Sequence, residues 1–236
     1  MIAELEWIEV PAGTYELGLR DDEARALAEL AARRAREAVA ADPDPLHGMR
    51  EARELEAMWG NPEYLYQQLA ASMPAHRVEL PAFALSSSPV TLAHYTRFRL
   101  ATGAAPRAIY GTEPSVPDPG AAITGVSWHE ARAFAAWARA ELPTEAQWEA
   151  ALRPASRSAF APISDELFEW CADEFRPYPG ADLARVAPPP GGWAGTRAQR
   201  GGSIAGFPAT VVTRDGADPS LRLRNATFRI AVLRRA

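Results

Sequence analysis

Between Thr124 and Leu152 the chain reads TGVSWHEARAFAAWARAELPTEAQWEAAL, and two helix starts are written into that one stretch. Ser127 is followed three residues on by Glu130, and Thr144 by Gln147. In such a capping box the hydroxyl accepts the third amide of the helix while the longer side chain reaches back to the cap's own N–H. The first predicted helix puts Ala131, Phe134, Ala135 and Ala138 on one face, and the second buries Trp148, Ala151 and Leu152.

The segments around this pair read as short strands and irregular chain. LEWIEVPAGTYELG alternates around Trp7, Ile8, Val10, Tyr15 and Leu17, with Pro11 and Gly13 in a turn, and predicts a hairpin. Strands are predicted at 78–80 and 83–85, followed by a helix opened by Thr91. Beyond Pro154 the chain is rich in Pro and Gly, with strand candidates in ELFEWCADEF, RGGSI, TVVTR and FRIAVL. Long irregular stretches within one domain commonly carry function.

Residues 21–73 differ in composition. DDEARALAELAARRAREAVA has acidic residues first and arginines later, which suits a helix dipole over 21–40. DPDP at 42–45 breaks it, and two shorter helices are predicted in GMREARELEAMWG and PEYLYQQLAAS, the second with Pro62 at its start. This is a helical insertion whose narrow stripe of Leu27, Leu30, Ala31 and Ala38 needs a surface to pack against. That surface is either the insertion's own small core, with Met58, Trp59, Tyr64, Tyr66 and Leu69, or another protein.

Composition limits the function classes. At 236 residues, 47% apolar and with seven Trp, the chain can bury one large core, so 1–236 is taken as a single domain. The net charge is −5, and all 25 basic residues are Arg, which argues against nucleic acid as a partner. No run of about eighteen apolar residues suggests a membrane span, and MIAELEWIEVPAG lacks the pattern of a secretory signal, so a cytoplasmic location is expected. With Cys171 as the one cysteine, no internal disulfide and no two-thiolate site can come from this chain alone.

WIEVPAGTYELG, HRVELPAFALSSSPVTLAHYTRF, VSWHEARAFAAWARAELPTEAQWEAALR, FEWCADEF, RGGS and FRIAV follow one another in an order that resembles the formylglycine-generating enzyme family, also called the sulfatase-modifying-factor type. The resemblance covers about 1–18 and 74–236. It implies an α+β, C-type-lectin-like fold with little regular secondary structure, in which two main helices pack on a small antiparallel sheet and long loops present a site. In the oxidase branch two cysteines after RGGS hold copper. Here Ser203 is followed by Ile204, Ala205, Gly206 and Phe207, so the thiolates that select Cu(I) are gone. A second branch, the iron-dependent sulfoxide synthases, uses three histidines. His47, His76, His94 and His129 show no metal-binding spacing, and His94 and His129 read as helix-surface or structural residues. The resemblance also implies a calcium site at the segment DELFEW, where Glu166 and Glu169 are the candidate ligands. Calcium is the one cofactor suggested, with a solvated acidic loop as the alternative.

Cys171 reads as a small buried hydrophobe, and Trp128, Trp137, Trp148 and Trp170 as packing residues. Arg200, Arg214 and Arg229 read as buried ion-pair partners, or alternatively as anion binders. The mixed apolar and polar stretch after RGGS suits a binding surface: Ile204, Phe207, Thr210, Val211, Val212, Asp215, Asp218, Leu221, Leu223 and Asn225. The expected function is therefore a non-catalytic module that recognises a protein or small-molecule ligand through this C-terminal surface. One specialised form resembles the variable proteins of diversity-generating retroelements. The alternative is a metal-dependent oxidoreductase whose ligands are scattered histidines and carboxylates.

Overall fold

In the computed structural model, residues 5–40, 59–104, 118–153, 160, 167–186, 192–202 and 211–234 are described. Strand β1 (Trp7–Val10) pairs with β4 (Phe83–Ser86), and β2 (Gly13–Leu17) pairs with β3 (His76–Leu80). The predicted hairpin of residues 7–17 is thus corrected, since β1 and β2 do not pair with each other. They form one arm of a longer antiparallel ribbon whose register continues across a break, with Val10 opposite Phe83 and Gly13 opposite Leu80. Pro11 and Pro81 lie in that break, one on each arm. Neither has an N–H to give to a ladder, so the ribbon divides into two sheets there. The chain's long-range partner, and not the turn at Gly13, sets the pairing.

The insertion is carried at the tip of this ribbon, between β2 and β3. Helix α1 (Asp21–Ala40) packs on α2 (Pro62–Gln68), which Asn61 caps through its side chain. A 3-10 turn at Ala70–Ser72 leads back to the ribbon, where the Leu19 amide donates to the Ser72 carbonyl at 2.8 Å. The buried face of α1 is Ala24, Ala28, Ala31 and Ala32, with Leu27 and Leu30 half-buried beside it. Small side chains let α1 approach Leu65, Tyr66 and Leu69 closely; of the expected stripe, Ala31 is buried and Leu27 packs at its edge, while Ala24, Ala28 and Ala32 complete the buried face. The side chain of Ala38 and the predicted helix over 48–58 lie outside the described residues.

Both capping boxes are present. Ser127 and Glu130 open α4 (Trp128–Trp137), and Thr144 and Gln147 open α5 (Glu145–Leu152). Thr91 and His94 open α3 (Leu92–Thr102) in the same way, which buries His94 rather than leaving it on the helix surface. Gly103 ends α3 in a left-handed conformation at φ 68°. Phe134 of α4 is fully buried among Tyr95, Phe98 and Phe228. Trp137 packs on Phe98 and Phe134 with one side and is exposed on the other.

The third sheet has the order β7 (Arg214–Ala217), β6 (Arg197–Gly201), β5 (Phe168–Glu174), β8 (Ala226–Thr227), with β8 parallel to β5. Strand β9 (Ala231–Leu233) returns to β4. TVVTR contributes a strand only from Arg214; Val211 and Val212 form a turn before it. No described helix is long and apolar enough to cross a membrane.

Candidate functional site

Register places Glu169, Arg200 and Arg214 directly opposite one another across β5, β6 and β7, so their side chains share one face of the sheet. That face is covered by α5, which presents Glu145 and Glu149 one turn apart beside Trp148. Arg200 is fully buried. It donates to Glu149 Oε2 at 2.5 Å, to Glu145 Oε1 at 3.4 Å and to the Tyr178 hydroxyl at 2.9 Å. Arg214 makes a two-point contact with Glu145, 2.7 Å for each bond, and its guanidinium lies 3.8 Å from the centre of the Tyr178 ring. Arg229 pairs with Glu169 at 2.9 Å, and the same carboxylate accepts the Trp148 indole N–H at 2.8 Å. The buried ion-pair reading of the three arginines is the observed one.

This cage is a junction as well as a charge balance. Glu149 also accepts the amide of Gly18 at 2.7 Å, where the insertion begins. Arg214 donates to the Ala71 carbonyl, where the insertion ends. Arg200 donates to the Val211 carbonyl at 2.5 Å, just before β7. Burial pushes the Glu149 carboxyl up, but the Arg200 guanidinium, the Gly18 amide and Arg153 outweigh it and hold the group below the ordinary glutamate value. Gly18 has φ +79°, and a Cβ there would lie 2.8 Å from the Pro74 carbonyl oxygen, so only glycine fits.

A cleft of about 400 Å³ opens beside the cage, lined by His76, Glu145, Asp173, Tyr178 and Arg214 among others. Asp173 accepts the Glu145 amide at 2.6 Å, and burial raises its carboxyl above the usual aspartate range. His76 stands edge-on to Tyr178, with ring centres 4.4 Å apart. His129 is exposed at the start of α4, and His94 is held in its capping box. The three histidines therefore occupy separate places. Among the described residues no group of three His, Cys, Asp or Glu side chains is arranged to hold a metal ion. Cys171 is wholly buried, and burial pushes its thiol well above the usual range, the opposite of what a nucleophile or thiolate ligand needs.

The candidate ligand residues separate into four groups. Asp218, Leu221 and Asn225 are exposed on the loop between β7 and β8, with Leu223 half-buried beneath them against the main core. This loop is anchored. The Pro219 carbonyl accepts the Trp128 amide, the Leu223 carbonyl accepts the amides of Gly125 and Ala226, and Arg222 grips Glu130 through two bonds of 2.9 and 3.0 Å. Val212 does not belong to the surface: it is buried in the insertion's core, and its carbonyl accepts the Ser72 hydroxyl. Asp215 is half-buried, with its carboxyl raised by burial and bonded to the Gly216 amide at 2.7 Å. Ile204, Phe207, Thr210 and the calcium candidate Glu166 lie outside the described residues. Glu169, the other calcium candidate, has both carboxylate oxygens engaged by Arg229 and Trp148 and stands here as an ion-pair partner. Sequence reasoning missed Glu145 and Glu149. The available signal was two acidic residues flanking the buried Trp148 on a short helix, in a chain with three arginines in its C-terminal strands.

Residues 5–168 match the model of the sulfatase-modifying factor enzyme 1-like domain. The chain belongs to that family. Among curated relatives, it is 42% identical over 66 residues to the formylglycine-generating enzyme of Thermomonospora curvata, covering 28% of this chain and 22% of that enzyme. It is 29% identical over 111 residues to the serine/threonine-protein kinase Pkn1 of Chlamydia trachomatis, covering 40% of this chain and 18% of that protein. The chain thus spans about a fifth of the length of these relatives. The solved structure of PvdO from Pseudomonas aeruginosa aligns with 96% of this chain and 94% of its own, with a TM-score of 0.54 and 19% identity. At that identity the likeness shows the formylglycine-generating-enzyme-like, C-type-lectin-type fold and nothing finer.

Proposed function

We propose that this protein is a non-catalytic recognition module of the sulfatase-modifying-factor family, and that it binds a protein or small-molecule ligand through the surface between β7 and β8. The observation that carries this reading is the anchored loop 218–225, which presents Asp218, Leu221 and Asn225 to solvent on backbone and ion-pair ties to α4. An apolar side chain beside polar ones on a preorganised loop loses little entropy on binding. The chemistry-bearing groups nearby support the same reading. Glu145, Glu149 and Glu169 are occupied in the arginine cage, and the single cysteine is wholly buried. Asp215 adds a half-buried carboxylate at the same strand without a cationic partner among the described residues.

The test is a Leu221→Asp variant compared with the wild-type protein in recovery of partners from cell extract, with circular dichroism and thermal unfolding as folding controls. A protein recovered by the wild type and lost on L221D, with unfolding unchanged, supports the reading. Equal recovery by both chains overturns the placement of the surface.

A further inference from the structure

A second cleft, of about 370 Å³, lies where the insertion meets the turn 179–186. This volume is in the range of small-molecule sites. Its floor is apolar, with Leu19, Ala70, Met73 and Pro74. Four charged side chains line it: Arg20, Asp21, Asp182 and Arg185. Two of them are neutralised within the fold. Arg20 contacts Glu16, Asp22 and Glu23, and Asp21 is bound by Arg25 at 2.9 Å and by the Tyr66 hydroxyl.

The other two have no opposite charge within ion-pair distance among the described residues. Arg185 stacks on the Tyr66 ring, 4.5 Å from its centre, and donates to the Tyr66 hydroxyl at 3.1 Å. The Asp182 carboxylate accepts the Ala184 amide of its own turn at 3.1 Å, and its backbone carbonyl accepts the Arg185 amide at 2.9 Å. Arg25 lies 4.3 Å from the centre of the Tyr66 ring, and Tyr66 is itself buried, so the platform under Arg185 is fixed by the insertion. Arg185 and Asp182 thus stand on a single turn above an apolar floor, neither in a direct ion pair among the described residues, with Asp21 reaching Arg185 only through the shared Tyr66 hydroxyl.

We propose that this cleft binds a free α-amino acid with an apolar side chain, its carboxylate on Arg185, its ammonium on Asp182 and its side chain against Leu19 and Met73. A zwitterion matches the two charges at once, while a simple anion or cation leaves one of them unanswered. The insertion then takes part in binding, because it contributes Ala70 and Met73 of the floor together with Tyr66.

The test is calorimetric titration of the full chain with L-leucine and L-methionine, and with leucinamide and N-acetyl-leucine, which lack one charge each. The account expects saturable binding of the free amino acids, weakened about tenfold or more in each derivative. Arg185→Gln and Asp182→Asn, both on an exposed turn, are expected to weaken L-leucine binding similarly while the unfolding midpoint stays constant. No saturable binding of either amino acid at millimolar concentration overturns the proposal. So does binding that R185Q and D182N leave unchanged, or equal binding of N-acetyl-leucine, which reduces the requirement to a carboxylate. The L221D variant should bind leucine as the wild type does, so failure here and failure at the β7–β8 surface are separable.

Discussion

Arg200 and Glu149 meet at 2.5 Å with both side chains completely out of solvent, and through them four parts of the chain are tied together. Glu149 holds the start of the insertion at Gly18, the 178 loop through the Tyr178 hydroxyl at 2.9 Å, and Arg153 at 2.7 Å. A buried ion pair adds little compared with a well-packed apolar pair, but removing one partner leaves the other charge stranded.

Glu149→Gln is therefore expected to destabilise the protein by about 3–5 kcal/mol, since Arg200 loses its main counter-charge. Urea unfolding followed by Trp fluorescence measures this. A change under about 1 kcal/mol would contradict the cage as the fold's central junction.

The pH dependence has two opposed parts. Despite burial, the Arg200 guanidinium and the Gly18 amide hold the folded Glu149 carboxyl below its ordinary value of 4.5, so its contribution is complete above about that pH and is lost as pH falls through the lower folded value. Asp173 and Asp215 have folded values raised by burial above 3.8. Stability from these two falls as pH rises from 3.8 through their folded values and is level above them. Asp173→Asn and Asp215→Asn should thus raise the urea midpoint at pH 7 and lose that gain near pH 3. A lowered midpoint at pH 7 for both would show that their carboxylates are paired.

The two capping boxes were legible because a cap is local chemistry: Ser127 needs only Glu130, and Thr144 only Gln147, to fix where a helix starts. The family frame was legible for a related reason, since its motifs are contiguous words. What the sequence hid was pairing at a distance. The alternation in 7–17 suggested that the two strands pair with each other, and nothing near Pro11 revealed that Pro81 faces the same break. On α1 the larger side chains Leu27 and Leu30 drew the buried face towards themselves, while close helix packing favoured Ala24, Ala28, Ala31 and Ala32. Val212 looked like a surface residue because the insertion that covers it lies far away in the chain, reached through Ser72.

Leu65→Ala separates the insertion's own core from a docking face. Leu65 is 1% exposed against α1, so truncation should cost about 2–5 kcal/mol, whereas Leu27→Ser at a half-buried position should cost clearly less. Both variants should keep the oligomeric state of the wild type by light scattering. A change of mass with L27S and little loss of stability with L65A would assign the alanine-lined helix to a partner.

Glu169→Gln tests the calcium reading against the ion pair with Arg229. The account expects the unfolding midpoint to fall by the same amount in calcium and in EDTA, because the carboxylate serves Arg229 and Trp148. A loss seen only in calcium would make Glu169 a metal ligand.

The diversified form of the recognition reading makes a separate genomic prediction. A near copy of the codons for 203–225, with adenines at the variable positions, should lie close to the gene. Its absence removes that form while leaving the β7–β8 surface as the binding site.

The central claim, a binding module on an oxidase-type frame, is tested most directly by elemental analysis of purified protein freed of chelator, read per chain for calcium, iron and copper. The account predicts iron and copper far below one equivalent, with or without calcium. Iron or copper near one equivalent, lost on changing His76, His94 or His129, would contradict it and assign the protein a metal-dependent chemistry.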